Sequence, residues 1–420
     1  MDDFVVQRVK RPSRRFILWF LVAVALAAWS IWLVWTFLGA GSYDLPRAAR
    51  SLSKVQAEAR RAGLLFSQSD LPKSSGASVE DVVDALQPIA EFKGNSVVFF
   101  AGDSWKDRSS WSRFAAFEKS VSKVESIKQI DWKGQGGYWR GPDQQVMPRL
   151  QKTAKYFSVL SIEHAKEGRD AECLRAFQNA LHSVRLMASQ NTIKSVYFAT
   201  ISEESVLTTI PILLEEGIDS RAILNVLDRH AWEPSPALMI REEAWHELNS
   251  MPRMLRRGRL SYMGTSVDPL TLEMSGSMIP VDGERALNAL QARSLEFWTA
   301  LKELADRGAS MERIRDEAEV LRQAAEDSRA LSRVRVAALE LQVFDHRRFE
   351  TTAARQAVAR GLVQAYANPN EPLPIDPAAA DPLRAERAGG TLKVWSRGRN
   401  SLDDLARGDD VVMSVKISDH

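Results

Sequence analysis

Hydrophobic residues follow three successive patterns along the chain. Residues 16–38 read FILWFLVAVALAAWSIWLVWTFL and contain no charged side chain. Apolar residues then recur every three or four positions, the spacing of one face of an α-helix, through most of the chain as far as Tyr366. From Pro369 onward, prolines, glycines and β-branched residues replace this pattern. The sequence therefore predicts a mainly α protein with an N-terminal transmembrane helix, a helical-hairpin bundle and a small C-terminal α+β module.

The first apolar run predicts a single membrane crossing. A helix of about 20 residues spans the roughly 30 Å hydrocarbon layer, and residues 16–38 provide 23. Basic residues are concentrated in residues 1–15, which the positive-inside rule places in the cytoplasm, so the chain beyond the anchor is exported. A cleaved signal peptide is the alternative because small residues, Gly39 to Gly41, follow the run, although the apolar core of such a peptide is shorter.

Residues 39–331 are predicted to form an exported helical domain. Turns centred on Gly168, Gly217 and Gly308 separate periodic segments and predict helical hairpins. Residues 258–283 have weak periodicity and four glycines, so they are predicted to form a long loop that divides the bundle. The phrase around Gly168 is similar to tetratricopeptide repeats, but no 34-residue period runs through the chain, which argues against a regular solenoid.

Composition narrows the candidate chemistry. The chain has 56 Lys and Arg against 54 Asp and Glu, a net charge of +2, so no excess of positive charge favours nucleic acid as a partner. Cys173 is the single cysteine, which excludes an intramolecular disulfide and a multi-cysteine metal centre. Its position within an apolar helical pattern favours a small core residue over a nucleophile.

One stretch has the features of a hydrolase nucleophile. Residues 95–102 form a β-like run, or the start of a buried helix, and Asp103 and Ser104 follow it. The Gly-Asp-Ser order resembles the nucleophile block of the SGNH hydrolases, with Ser104 as the nucleophile. Such a serine needs a histidine oriented by a carboxylate, but the family's Asp-x-x-His and Gly-x-Asn-Asp blocks are both missing from this sequence. A turn in which Asp103 or Ser104 caps the next helix is therefore favoured.

A second candidate site pairs Glu243 with His246. These residues stand three apart on a predicted helix and could ligate a metal, as Glu-x-x-His does in di-iron bundles. Those sites need the motif twice, and it occurs once here, so a solvated charged face is favoured. A periplasmic serine hydrolase using Ser104, or a metal-dependent hydrolase using Glu243 and His246, is the alternative function.

The tail has its own organisation. Five prolines between 369 and 382 exclude helix and predict a rigid extended arm. Gly389 and Gly390 allow a tight turn, and TLKVW and VVMSVKI are β-prone runs on either side of a polar loop. We expect a two- or three-stranded antiparallel sheet that packs on the helix ending near Tyr366, because isolated strands are marginally stable.

The order of motifs in residues 332–420 resembles the C-terminal region of type II secretion major pseudopilins and of bacterial single-pass membrane proteins that share it. The matching residues are Pro374, Asp376, Pro377, Pro382, Leu383, Trp395, Ser396, Gly398, Asn400, Asp403, Asp404, Asp410 and Val411. The resemblance implies the bacterial inner membrane, with the bulk of the chain periplasmic. Leu405 and Ala406 replace the family's usual Gly-Gly, and residues 1–38 lack the features of a prepilin, so the chain is not itself a pilin subunit.

The resemblance also bears on cofactors and partners. In major pseudopilins the aspartate-containing loop binds calcium, so the resemblance implies a calcium loop of Asn400, Asp403, Asp404 and Asp410 here. No other cofactor and no catalytic residue is predicted. The leading hypothesis is a membrane-anchored periplasmic interaction or scaffold protein without enzymatic activity, associated with secretion or pilus-like envelope assemblies. Its expected partners are the bilayer, through residues 16–38, and an envelope protein that adds a strand to the tail.

Overall fold

A computed structural model describes residues 26, 52–64, 76–87, 124–132, 143–245, 283–327, 347–379, 381–397 and 410–417. Within these residues the protein is mainly helical and carries a small three-stranded antiparallel sheet, which confirms the predicted fold class at this level. None of the helices in these ranges has both the length and the apolar character that a bilayer crossing requires. Of the predicted anchor, residues 16–38, the structure describes Leu26 alone.

The regular elements are numbered here along the described ranges. The helices are α1 (Leu52–Arg61), α2 (Val79–Ala85), α3 (Asp143–Lys166), α4 (Asp170–Ala188), α5 (Ile193–Leu207), α6 (Ile210–Glu215), α7 (Ser220–Arg229), α8 (Gly283–Asp306), α9 (Met311–Asp327) and α10 (Arg347–Ala367). A further helical segment covers 236–245. The strands are β1 (Ala77–Ser78), β2 (Ile130–Asp131), β3 (Arg384–Ala388), β4 (Thr391–Ser396) and β5 (Val411–Lys416).

The three predicted turns between helices are confirmed. Gly168 lies between α3 and α4, Gly217 between α6 and α7, and Gly308 between α8 and α9. Their φ angles are 68°, 83° and 77°, in the left-handed region where a side chain would be strained. Of the predicted dividing loop, Gly283 is the first residue of α8, and residues 258–282 lie outside the described ranges.

Buried side chains form two hydrophobic clusters. The first combines residues of α3, α4, α6, α7 and α10 with residues of the three-stranded sheet. The second combines α1, α8, α9 and the segment 236–245. Helix α5 contributes to both, with Ile193 and Val196 in the second cluster and Val206 and Leu207 in the first. The C-terminal sheet therefore shares its core with the helical bundle.

Helix α10 is the surface on which the sheet packs, as the sequence predicts. It contacts both β4 and β5, and it can do so closely because Gly361 has no side chain. A Cβ atom at position 361 would lie 2.8 Å from Leu383 Cδ1 and 3.3 Å from Val394 Cγ1. The buried residues Leu383, Leu392 and Val394 fill this contact between sheet and helix.

Candidate docking site

The two edges of the C-terminal sheet differ in how their backbones are used. The strand order is β3-β4-β5, with both pairs antiparallel. Gly389 and Gly390 connect β3 to β4 with positive φ angles of 57° and 69°, as a type I′ hairpin turn requires. The pair flanking such a turn, Ala388 and Thr391, is hydrogen-bonded, and bonded pairs alternate along the ladder. The backbone N–H and C=O groups of Ala385 and Arg387 therefore point away from β4.

The β5 edge meets a side chain of the bundle. The same alternation directs the N–H of Lys416 away from β4, and it donates to Glu215 Oε1 at 3.1 Å. Glu215 is the last residue of α6, and α6 packs against β5. On the opposite edge, all five residues of β3 are exposed. The sheet thus presents β3 as its accessible edge.

Strand β3 is rich in charged side chains, and one of them bonds to α10. Arg384, Glu386 and Arg387 supply three charges in five residues, an arrangement that keeps an open edge from pairing indiscriminately. The Arg387 guanidinium donates a hydrogen bond to the carbonyl of Ala365, in the last turn of α10. A cation at this position is favourable because the carbonyl end of a helix carries partial negative charge.

Asp376 anchors the proline-rich arm to the sheet. Its carboxylate is buried and accepts hydrogen bonds from Ser396 Oγ at 2.7 Å, the Ala378 N–H at 3.0 Å and the Arg397 N–H at 2.8 Å. Its own N–H donates to the carbonyl of Asp381 at 2.6 Å. The arm is therefore tied to the end of β4 shortly before the chain enters β3.

This contact joins two of the sequence motifs that carry the pseudopilin resemblance. Asp376 belongs to the Pro-x-Asp-Pro phrase and Ser396 to the Trp-Ser phrase twenty residues later. The sequence identifies both residues but gives no sign that they bond to each other. The contact depends on the arm folding back beside β3, where Ile375 and Pro382 form an isolated bridge.

The predicted calcium loop falls largely outside the described residues. Asp410 is described and immediately precedes β5, whereas Asn400, Asp403 and Asp404 are not. Among the described residues, no three side chains suited to binding a metal come together. The calcium loop stays a prediction.

Of the two hydrolase candidates, the structure describes one residue, Glu243. Glu243 is buried, so the predicted solvated charged face is wrong at this residue. Its Oε1 accepts a hydrogen bond from the Ile193 N–H at 2.8 Å, at the first residue of α5. A carboxylate there satisfies a helix N-terminal donor and complements the positive end of the helix dipole. His246 and Ser104 lie outside the described residues, so the metal and serine hydrolase hypotheses stay predictions.

Two histidines form a titratable pair that sequence reasoning did not single out. The rings of His182 on α4 and His230 after α7 are 6.1 Å apart, and His182 Nε2 lies 2.7 Å from the carbonyl oxygen of Ile127. Burial lowers the pKa of His230 to about 4, with His182, Arg185 and Arg229 adding to the effect. Burial also lowers the pKa of His182. Both rings are therefore neutral at pH 7 and cannot both charge without cost.

Cys173 is a core residue, as the sequence predicts. It is fully buried, and burial followed by the charge of Asp170 raises the pKa of its thiol to about 12. We expect the folded protein at pH 7 to resist a maleimide reagent and to become labelled once it is unfolded in denaturant, because the thiolate is the reactive form. Mass spectrometry of the intact chain measures this directly. Rapid labelling of the folded chain would contradict the burial of Cys173.

Comparison of the chain with protein-family models, with curated proteins and with solved structures finds no match.

Proposed function

We propose that the protein is a membrane-anchored periplasmic interaction or scaffold protein without enzymatic activity, and that it docks a partner by accepting a strand at the β3 edge. The observation that carries this proposal is the asymmetry of the sheet. The β5 edge is engaged by Glu215, whereas β3 is exposed along its whole length and directs the backbone groups of Ala385 and Arg387 outward. An added strand would satisfy those groups without any catalytic residue.

Two sequence features support placing this docking protein in the bacterial envelope. The apolar run of residues 16–38 has the length of a membrane anchor. The tail motifs are similar to those of type II secretion major pseudopilins, and we propose on that basis an association with secretion or pilus-like assemblies.

The edge also indicates what kind of partner it fits. The strand itself contains Arg384, Glu386 and Arg387, a formal net charge of +1. Backbone pairing at Ala385 and Arg387 requires an extended segment, and charge complementarity favours one with carboxylate side chains. We therefore propose that the partner is an acidic, extended segment of another envelope protein.

Replacing Ala385 with proline tests the docking site. Proline removes the outward N–H, which β3 does not use in pairing with β4, and proline is tolerated on an edge strand in that position. With a photo-crosslinking amino acid at Ala388 of the full-length chain in cells, we expect the Ala385→Pro variant to lose roughly tenfold or more of the crosslinked product. That loss corresponds to about 1.4 kcal/mol or more of binding free energy.

Ala385→Thr is the matched control, because threonine keeps the N–H and suits a strand. We expect it to crosslink as the unsubstituted chain does, and hydrogen exchange should show an intact β3-β4 hairpin in both variants. Equal crosslinking in the proline and threonine variants would exclude strand addition. A crosslinked product with twice the mass of the chain would show that the partner is a second copy of this chain and not another envelope protein.

A further inference from the structure

Glu203 is a buried carboxyl group at the junction between the bundle and the helix that carries the sheet. It lies on α5 and is 4% exposed. Its Oε1 accepts hydrogen bonds from Trp232 Nε1 at 3.0 Å and from Gln356 Nε2 at 2.9 Å. Gln356 lies on α10 and also donates to the Trp232 carbonyl at 2.8 Å. One side chain thus connects α5, α10 and the segment that follows α7.

The surrounding contacts make this junction a buried interface between helices. The hydroxyls of Thr200 on α5 and Thr352 on α10 are 3.4 Å apart, and both residues are buried. Helix α10 packs against both α5 and α7. Burial without a compensating full charge favours the neutral form of a carboxyl group.

Charged groups near Glu203 only partly offset this burial. Arg355 and Arg360, both on α10, act on it through space. Each is also committed to another carboxylate, with Arg355 3.6 Å from Glu204 on α5 and Arg360 3.0 Å from Asp228 on α7.

Two further groups complete the surroundings of the junction. His230, two residues before Trp232, faces His182 on α4. Arg185 and Arg229 add positive charge near His230.

Burial raises the pKa of Glu203 to about 8, against the opposing effects of Trp232, Gln356 and the two arginines on α10.

We propose that the protonation state of Glu203 controls the packing of α10 on the bundle. The contact between α5 and α10 is closed when the carboxyl group is neutral and opens more readily when the carboxyl group ionises. The Trp232 indole N–H and the Gln356 side-chain amide donate hydrogen bonds to the neutral carboxyl group. Helix α10 in turn packs against β4 and β5. The attachment of the sheet-bearing helix therefore responds to pH. This inference does not require that the sheet binds a partner.

The direction of the effect follows from proton linkage. Below the ordinary Glu pKa the side chain is protonated in both the closed and the open state, so pH has no influence through this group. Between that value and about 8, the open state releases a proton that the closed state keeps. The equilibrium constant for opening then rises by about tenfold per pH unit as the pH increases. Stability from this group is fully present below the ordinary Glu pKa of 4.5 and is lost as the pH rises toward 8.

Hydrogen exchange of the full-length chain in detergent tests the proposal. After correction for the intrinsic exchange rate, we expect peptides covering 193–207 and 347–367 to open about tenfold more per pH unit between pH 5 and 8. Glu203→Gln keeps the acceptor oxygen for both hydrogen bonds but cannot ionise. We expect its opening to depend on pH less steeply by one proton and to be at least tenfold smaller at pH 8.

Glu216→Gln is the control, because Glu216 is an exposed acid directly after α6 and is not among the groups that act on Glu203. We expect it to keep the pH dependence of the unsubstituted chain. The inference is overturned if Glu203→Gln retains that full dependence. It is also overturned if infrared spectra at about pH 6.5 show no protonated carboxyl band assignable to Glu203, a measurement on the unsubstituted chain that remains valid if the glutamine variant does not fold.

Discussion

Replacement of Asp376 with alanine is expected to detach the proline-rich arm from the sheet and to lower the free energy of opening the sheet by about 3 to 6 kcal/mol. Three donors converge on its buried carboxylate, and two of them, Ser396 Oγ and the Arg397 N–H, join the arm to the end of β4. A hydrogen bond to a charged acceptor contributes roughly 1.5 to 3 kcal/mol, so these two bonds account for the expected change. Without the carboxylate, the Arg397 N–H and the Ser396 hydroxyl lose their acceptor. Hydrogen exchange of peptides covering 384–397, compared between the variant and the unsubstituted chain, measures the change.

Two further substitutions distinguish the loss of the Asp376 hydrogen bonds from the general effect of removing a negative charge. Asp376→Asn keeps one acceptor oxygen, so it is expected to lower the free energy of opening the sheet by less than the alanine change does. Asp381→Asn removes an acid from the same arm, but Asp381 is exposed and pairs with Arg397 at 3.1 Å. Such a surface ion pair contributes about 1 kcal/mol or less. An equal loss from Asp381→Asn would show that the Asp376 bonds are not what holds the arm.

Acidification is expected to destabilise the bundle through the histidine pair. The pKa of His230 falls from its ordinary 6.5 to about 4 in the folded chain. The contribution is fully present above pH 6.5 and is lost as the pH falls toward 4, because the unfolded chain binds a proton that the folded chain does not. At about 1.4 kcal/mol per pH unit, the loss approaches about 3 kcal/mol. Thermal unfolding of the full-length chain between pH 4 and 7 measures it.

His230→Gln removes the titrating ring and is expected to flatten the acid dependence of the midpoint temperature. Arg229→Gln is the neighbouring control, since Arg229 is exposed and contributes least among the groups that lower the pKa of His230. We expect it to retain most of the acid sensitivity. If His230→Gln is as acid-sensitive as the unsubstituted chain, the pair is not the source of the effect.

The three glycine turns between helices could be predicted because glycine at a helix end has a local physical cause. The positive φ angles at Gly168, Gly217 and Gly308 depend on a few neighbouring residues that the sequence shows directly. Strands β4 and β5 could be predicted for a similar reason, as their β-branched residues alternate or cluster. Their packing on the end of α10 followed from the need to cover a small sheet.

The candidate site was less accessible to sequence reasoning. The five residues of β3 include three charged side chains and no large apolar residue, so nothing in the sequence marks them as the edge of a sheet. Glu203 reads as an ordinary charged helix position, and its burial arises because α10, about 150 residues away, packs over it. Glu243 likewise reads as a surface acid until Ile193, fifty residues earlier, is placed at its side.

The shared core of tail and bundle limits how the protein can be dissected. Leu383, Leu392, Val394 and Val415 belong to the same hydrophobic cluster as residues of α3 to α7. Cutting the gene before the proline arm would expose the flank of α10 to water, and the shortened product would attract proteases and chaperones. We also expect the last fifty residues not to fold when fused to an unrelated protein, because the sheet is stabilised by packing against the helical bundle.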